Sequence, residues 1–340
     1  MTAPVETQKL ARDWISRSNR VRLWEIALWV IAVAAIFLLP SKLLILTEIT
    51  ILAIFALSLD LILGYAGIVS LGHTAFFGLG AYAAGILARD YVSEPVTGLI
   101  FAGFISGLFG FATSFLVLRG SDLTRLMTTF GVAMLLAEVA NQAAWLTGGA
   151  DGLSGIMLTP ILGLFEFDLF GRNGYVYALV VLAVLTFIAR RLVHSPYGLS
   201  LKALKLNPRR SAMIGISATR RIVAIYTLSA VYAGMAGALL AQTTSFVSPD
   251  VLAFHRSAEV LLVLVIGGTG YLYGGVVGAI IFTLLRDWLS VVTPQYWMFW
   301  IGLILIALVL IGRERLTRWP ALLNRKATTR AATQLAEEPR

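Results

Sequence analysis

Long apolar runs separated by short polar interruptions dominate the chain. They cover 23–39, 43–63, 73–88, 97–118, 126–146, 175–192, 222–242, 258–285 and 296–312. A helix needs about 20 apolar residues to cross a hydrocarbon core of about 30 Å, and these runs reach or approach that length. A transmembrane barrel would instead show alternating segments of about 10 residues. The pattern predicts an all-α fold: a polytopic helical membrane protein with about 8–10 transmembrane segments. The run 23–39 ends in Leu-Pro-Ser-Lys with no small-residue cleavage pattern, so it reads as a retained first helix and not as a signal peptide.

Charge gives the runs a direction. Residues 1–22 hold five Lys/Arg, 190–221 hold eight and no acid, and 313–340 hold seven, together twenty of the 27 basic residues. The connection 147–174 carries Asp151, Glu166 and Asp168 against Arg172 alone. Basic loops stay on the cytoplasmic side, so both termini and 190–221 read as cytoplasmic and 147–174 as external. Both ends inside requires an even number of crossings. The nine runs meet this if 258–285, interrupted by GGTGYLYGG at 267–275, counts as two segments. The expected organisation is a cytoplasmic segment 1–22, a membrane domain 23–312 containing a cytoplasmic loop 194–221, and a cytoplasmic tail 313–340.

Composition agrees. The chain is 58% hydrophobic and 13% charged, where a soluble domain carries about 25% charged residues. The net charge of +9 is accounted for by the inside loops and implies no nucleic acid. There is no cysteine, so thiol chemistry is excluded. Three widely spaced histidines offer no metal site. No GxSxG, HExxH or Walker A pattern occurs, so neither hydrolytic chemistry nor ATP binding through a P-loop is encoded. The chain reads as a non-enzyme without its own cofactor.

Glycine is concentrated where a plain span would use leucine. Gly64-x-x-Gly67-x-x-x-x-Gly72 recurs as Gly267-x-x-Gly270-x-x-x-x-Gly275. Glycine costs a helix about 1 kcal/mol relative to alanine, and irregular backbone at membrane depth survives only against protein or a water-filled cavity. The six glycines are therefore candidates for a translocation path. The competing reading is close helix packing, with Gly78, Gly80 and Ala81 facing a neighbour. Both can hold together.

Polar side chains within apolar runs are the other candidates. An ionised group at a span centre costs about 2.5–3.5 kcal/mol on insertion scales. Asp60 and Glu138, the latter with Asn141 and Gln142, are the better path candidates. Glu259 follows Ser257 at a helix start, where the dipole favours a carboxylate. Asp287 beside Arg286 reads as an interface pair. His73 could relay protons, but a satisfied cap or turn histidine is the plainer reading.

The loop RRLVHSPYGLSLKALKLNPRRSAMIGISATRR, 190–221, predicts one short amphipathic helix over Leu199–Leu206 and a second over 209–214, ending at Gly215. Its Lys202, Lys205, Arg209 and Arg210 suit either anionic lipid or a cytoplasmic partner.

Three stretches then carry a resemblance. LSLDLILGYAGIVSLGHTAFFGLGAYAAG at 57–85, YGLSLKALKLNPRRSAMIGISATRRIVAIYTLSAVYAGMAGALLA at 197–241 and FVSPDVLAFHRSAEVLLVLVIGGTGYLYGGVVGAII at 246–281 resemble the M-type permeases of branched-chain amino acid ABC importers. The resemblance implies an ABC importer permease fold in a bacterial inner membrane, working with a second related permease, two cytoplasmic ATP-binding subunits and an external solute-binding protein. The 194–221 loop would be the ATPase-coupling element, with Ala212 and Gly215 at the family's Ala-x-x-Gly step. Asn207-Pro208 stands where many relatives have Asn-Glu. The substrate class stays open among branched-chain amino acids, amides, urea and aromatic acids. The alternative is an ion-coupled secondary transporter using Asp60 or Glu138.

Overall fold

The structure is a computed structural model that describes residues 23–118, 122–161, 163, 165, 171–292, 294–296, 299–300, 302–304 and 306. The expected terminal segments 1–22 and 313–340 lie outside the described residues, as do Glu166 and Asp168. The chain divides into two units, one up to Thr283 and one from Leu284 on. In the second, the Phe299 and Trp300 rings meet edge to face at 5.6 Å.

Regular structure among the described residues is helical. The main helices are α1 (Leu23–Leu38), α2 (Leu43–Asp60), α3 (Thr74–Asp90), α4 (Pro95–Leu118), α5 (Asp122–Gln142) and α6 (Arg172–Val193). They continue with α7 (Pro196–Leu206), α8 (Pro208–Met213), α9 (Ala218–Thr244), α10 (Phe254–Gly267) and α11 (Gly274–Val292). The β-pairing seen is two isolated bridges, Leu153 with Val247 and Ile161 with Phe165. Six stretches are long and apolar enough to cross a membrane: Pro40–Ala66, α4, α5, α6, α9 and α11. The predicted run 258–285 is broken, as its glycines require, into α10 and α11.

Helix α4 is built inside out relative to a helix of a soluble protein. Helix α4 turns Ala102, Gly103, Ser106, Gly107, Gly110 and Ser114 inward and leaves Ile100, Phe104, Leu108, Phe111 and Phe115 exposed. In lipid the bulky apolar face gains nothing by burial, whereas small residues let backbones approach. Helix α9 is the centre and packs against α4, α3 and α2. Its inward positions are Ala230, Ala233, Gly234, Ala236, Gly237, Ala238 and Ala241. Gly80 of α3 lies directly on Gly234, so that a Cβ there would come within 2.6 Å of the Gly234 carbonyl carbon. The packing reading of Gly80 therefore holds in the fold.

Helix α1 is fastened near its start and at its middle. The Tyr175 hydroxyl donates to the Ala32 carbonyl at 2.9 Å, and Glu25 forms an ion pair with Arg190. Helix α5 is the loosest span: an apolar cavity of about 190 Å³ lies between it and α3, bordered by Tyr82, Ile86, Leu136 and Val139.

Candidate functional site

The two glycine-broken segments meet, and the basic loop is tied to the place where they meet. Helix α2 does not stop at Asp60. It widens into a π-type turn, Leu61–Ala66, that ends on Gly67 at φ +76°. A residue with a Cβ is disfavoured there, which is why glycine stands at that position. The second segment repeats the device: α10 ends at Gly267, and Gly270 turns the chain at φ +78°. The middle glycine of each Gly-x-x-Gly-x-x-x-x-Gly motif thus performs the same left-handed turn.

Two hydrogen bonds and a cation–ring contact close the junction. The Gly270 N–H donates to Asp60 Oδ1 at 2.7 Å. Lys205 Nζ, from α7, donates to the Gly64 carbonyl at 2.7 Å. That carbonyl lies within the π-type turn, where the regular α ladder is interrupted. Lys202, three residues back on the same helical face, sets its ammonium 5.5 Å from the Tyr65 ring. The backbones approach closely, since a Cβ on Gly64 would lie 2.5 Å from the Gly270 nitrogen and 2.8 Å from Asp60 Cγ. Asp60 is fully buried. It is the carboxylate that joins the two breaks.

The loop that reaches this junction folds as the sequence predicts, one turn longer at its start. Ser195 caps α7 by accepting from the Gly198 N–H at 3.4 Å, and Pro196 opens the helix. Asn207 is extended (φ −156°), as a residue before proline must be, and its Oδ1 accepts from the Arg210 N–H at 3.0 Å. Asn207→Ala is expected to loosen α8 by about 1 kcal/mol, read as faster amide exchange over 208–213. Leu201 and Leu204 are buried, while Arg209, Arg210, Ala212 and Gly215 are exposed. Sequence reading missed what surrounds them: Leu206, Met213 and Ile214 are 86%, 84% and 73% exposed. Large apolar side chains inside a basic loop were the available signal.

The remaining candidates sit elsewhere. His73 stands in the turn at the N-cap position of α3, and its side chain makes no capping bond. Its ring faces sideways: Nε2 lies 2.8 Å from Ser58 Oγ and 3.4 Å from Ser229 Oγ, joining α2, α3 and α9. The Phe55 ring stacks on it, with 5.7 Å between centroids. Beside it, Thr74 and Ser257 share a hydrogen bond of 3.0 Å. Gly72 lies against Thr129 of α5, Gly267 against Gly274, and Gly275 against Ala56 and Leu57. Glu259 pairs with Arg256 at 3.3 Å. Glu138 is exposed on α5, with Gln142 Nε2 donating to its Oε1 at 2.7 Å. No group of three His, Cys, Asp or Glu able to hold a metal ion occurs among the described residues.

Helical spans broken by glycine, joined to one another and to a capped basic loop, define a multi-pass membrane protein of the transporter class. The chain belongs to the family described as the branched-chain amino acid transport system permease component, whose profile matches residues 41–309. It is 30% identical over 289 residues to the high-affinity branched-chain amino acid transport system permease protein LivM of Salmonella typhimurium, covering 78% of this chain and 68% of that protein. It is 29% identical over the same length to LivM of Escherichia coli. The fructose import permease protein FrcC of Rhizobium meliloti is 24% identical over 284 residues, covering 79% of this chain and 77% of that protein. No solved structure matches.

Proposed function

We propose that this chain is the transmembrane permease subunit of an ATP-driven importer for branched-chain amino acids or related small polar solutes. It works in a bacterial inner membrane with both termini cytoplasmic. A second related permease, two cytoplasmic ATP-binding subunits and an external solute-binding protein complete the transporter. Membrane lipid surrounds its spans.

The loop carries this reading. Leu206, Met213 and Ile214 expose apolar surface among Arg209 and Arg210. Such surface on a water-facing loop fits a protein partner better than a lipid headgroup. On the other side of the same loop, Lys205 is bonded to the broken span at Gly64. A partner that moved α7 would therefore move the junction. The amino-acid relatives favour amino acids over sugars, since their identity is the higher.

The test is co-purification from cells expressing the chain with the presumed second permease and ATP-binding subunits. The unaltered loop is expected to bring the ATP-binding subunits down, and the pair Met213→Asp and Ile214→Asp to release them while the membrane part stays folded. Lys205→Met is expected to keep them bound yet lower solute uptake at least about tenfold, because one charge-assisted hydrogen bond is worth about 1.5–3 kcal/mol. Failure of any ATP-binding subunit to co-purify, with uptake following an ion gradient, sinks the proposal.

A further inference from the structure

Helices α4 and α9 touch along small residues and then part. A Cβ on Gly107 of α4 would lie 2.7 Å from Val231 Cγ2, and one on Gly110 would meet the Ala230 Cβ. Beyond Gly110 the small residues give way. Phe111 and Phe115 stand on one side, Val223, Ala224 and Leu228 on the other, and a groove of about 600 Å³ opens between the two helices. The two phenyl rings meet edge to face at 5.1 Å and form one wall.

The groove has a length and a charged end. It runs along α9 from Val231 to Arg220 in the first turn, a rise of about 17 Å. That is close to half of a hydrocarbon core of about 30 Å, which is one leaflet. Averaged over this length the groove is about 6 Å across, roughly half the diameter of a helix with its side chains. A partner helix does not enter such a slot, whereas an extended hydrocarbon chain does.

Arg220 is exposed at the end of the slot. Among the described residues no carboxylate pairs with it: Glu25 and Asp122, acids of the same side, are held by Arg190 and Arg125. The loop leading to it, 190–221, has eight Lys/Arg and no acid, and the start of a helix is the positive end of its dipole. An apolar slot one leaflet long, ending at a guanidinium without a carboxylate, complements both ends of a lipid with an anionic headgroup.

We infer that the α4–α9 groove holds one acyl chain of an anionic phospholipid of the cytoplasmic leaflet, with Arg220 on its phosphate. The site rests on the cytoplasmic placement of the loop proposed above and needs nothing about the transported solute or the ATP-binding subunits. Its headgroup lies one residue from Arg221. The Arg221 carbonyl accepts from the Tyr197 hydroxyl at 2.8 Å, and its guanidinium lies 5.0 Å from the centre of the Tyr197 ring. Tyr197 belongs to α7, the helix that carries Lys205 to Gly64. The lipid therefore holds the end of the loop at the membrane surface, one contact away from the helix that reaches the glycine junction.

Native mass spectrometry of the full chain in detergent tests the site. Dioleoyl phosphatidylglycerol and dioleoyl phosphatidylcholine are titrated against the unaltered chain, Arg220→Gln, Ala224→Phe and Arg191→Gln. Arg191 is the control, an exposed guanidinium in the last turn of α6 that does not line the groove. The unaltered chain is expected to prefer phosphatidylglycerol at least about fivefold for its first bound lipid. Arg220→Gln is expected to remove that preference, since one basic residue at a membrane surface is worth about fivefold in affinity, and Arg191→Gln to keep it. Ala224→Phe places a ring in the slot and is expected to weaken first binding of both lipids at least about fivefold.

A first lipid bound without preference overturns the site. Equal losses in Arg220→Gln and Arg191→Gln do the same, because they show diffuse attraction to a basic surface. So does Ala224→Phe binding both lipids as the unaltered chain does. Thermal midpoints are recorded alongside, and if Ala224→Phe does not fold, Arg220→Gln against Arg191→Gln decides alone. If a co-expressed second permease excludes the lipid and Ala224→Phe releases it, the groove is a subunit interface and the site is overturned. Co-purification of the ATP-binding subunits is a separate readout, so the importer reading stands or falls independently.

Discussion

Asp60→Ala is expected to lower solute uptake at least tenfold and to depress the thermal midpoint of the purified protein. The substitution removes the acceptor for the Gly270 N–H, held at 2.7 Å by a fully buried carboxylate. A hydrogen bond to a charged partner contributes about 1.5–3 kcal/mol, and losing one partner leaves the other buried and unsatisfied. At about 2 kcal/mol the joint between the two broken segments shifts roughly thirtyfold toward the parted state. Asp60→Asn retains a carbonyl oxygen at the Oδ1 position and is expected to keep at least half of the uptake and most of the midpoint. The contrast separates the two readings of this residue. A coupling-ion site needs the charge and fails with Asn as well as with Ala. A structural staple needs an acceptor and fails with Ala alone. Uptake equal to wild type in the Ala variant would show that the junction is not held by this bond.

That contrast also shows what the sequence exposed and what it hid. Hydrophobic runs placed α3, α4, α5, α6 and α9 within about four residues, the run 296–312 lies largely outside the described residues, and the break at 267–275 was legible because glycine at that density is too costly for a plain span. The α7–α8 loop was legible from Asn207-Pro208, which ends one helix and caps the next. Pairing across the fold was not legible. Asp60 and Gly270 are 210 positions apart, and nothing in either local pattern names the other. Lys205 read as one basic residue among eight, since its charge fits a lipid surface, a partner protein or a bond to the Gly64 carbonyl equally well. His73 was legible as a cap or turn residue before α3, while its bonds to Ser58 and Ser229 depend on where α2 and α9 pass. Glu138 was visible as a polar residue in a span. Its direction became readable only once the buried face of α5 was known.

Glycines that the sequence could not tell apart separate by what surrounds them, and Gly237→Ala is expected to be among the damaging small changes. Gly237 of α9 faces α3 so closely that a Cβ would sit 2.8 Å from the Phe77 carbonyl carbon and 2.9 Å from the Ala81 nitrogen. Both obstacles are backbone, so no rotamer change relieves them and the helices must part. Overpacking of this kind costs about 1–3 kcal/mol or more, and it also stretches contacts that depend on the same approach, Gly80 on Gly234 above all. Gly131→Ala makes the chemically identical change on the open face of α5. There the methyl group meets no neighbour, and the helix gains up to about 1 kcal/mol from lost glycine freedom. Thermal midpoints of the two variants in detergent are expected to move in opposite directions, Gly237→Ala down and Gly131→Ala level or up. An unchanged midpoint for Gly237→Ala would mean that α3 and α9 pack less tightly than the structure has them. A marked fall for Gly131→Ala in the assembled transporter, but not in the isolated chain, would mean that a partner's backbone lies against this face.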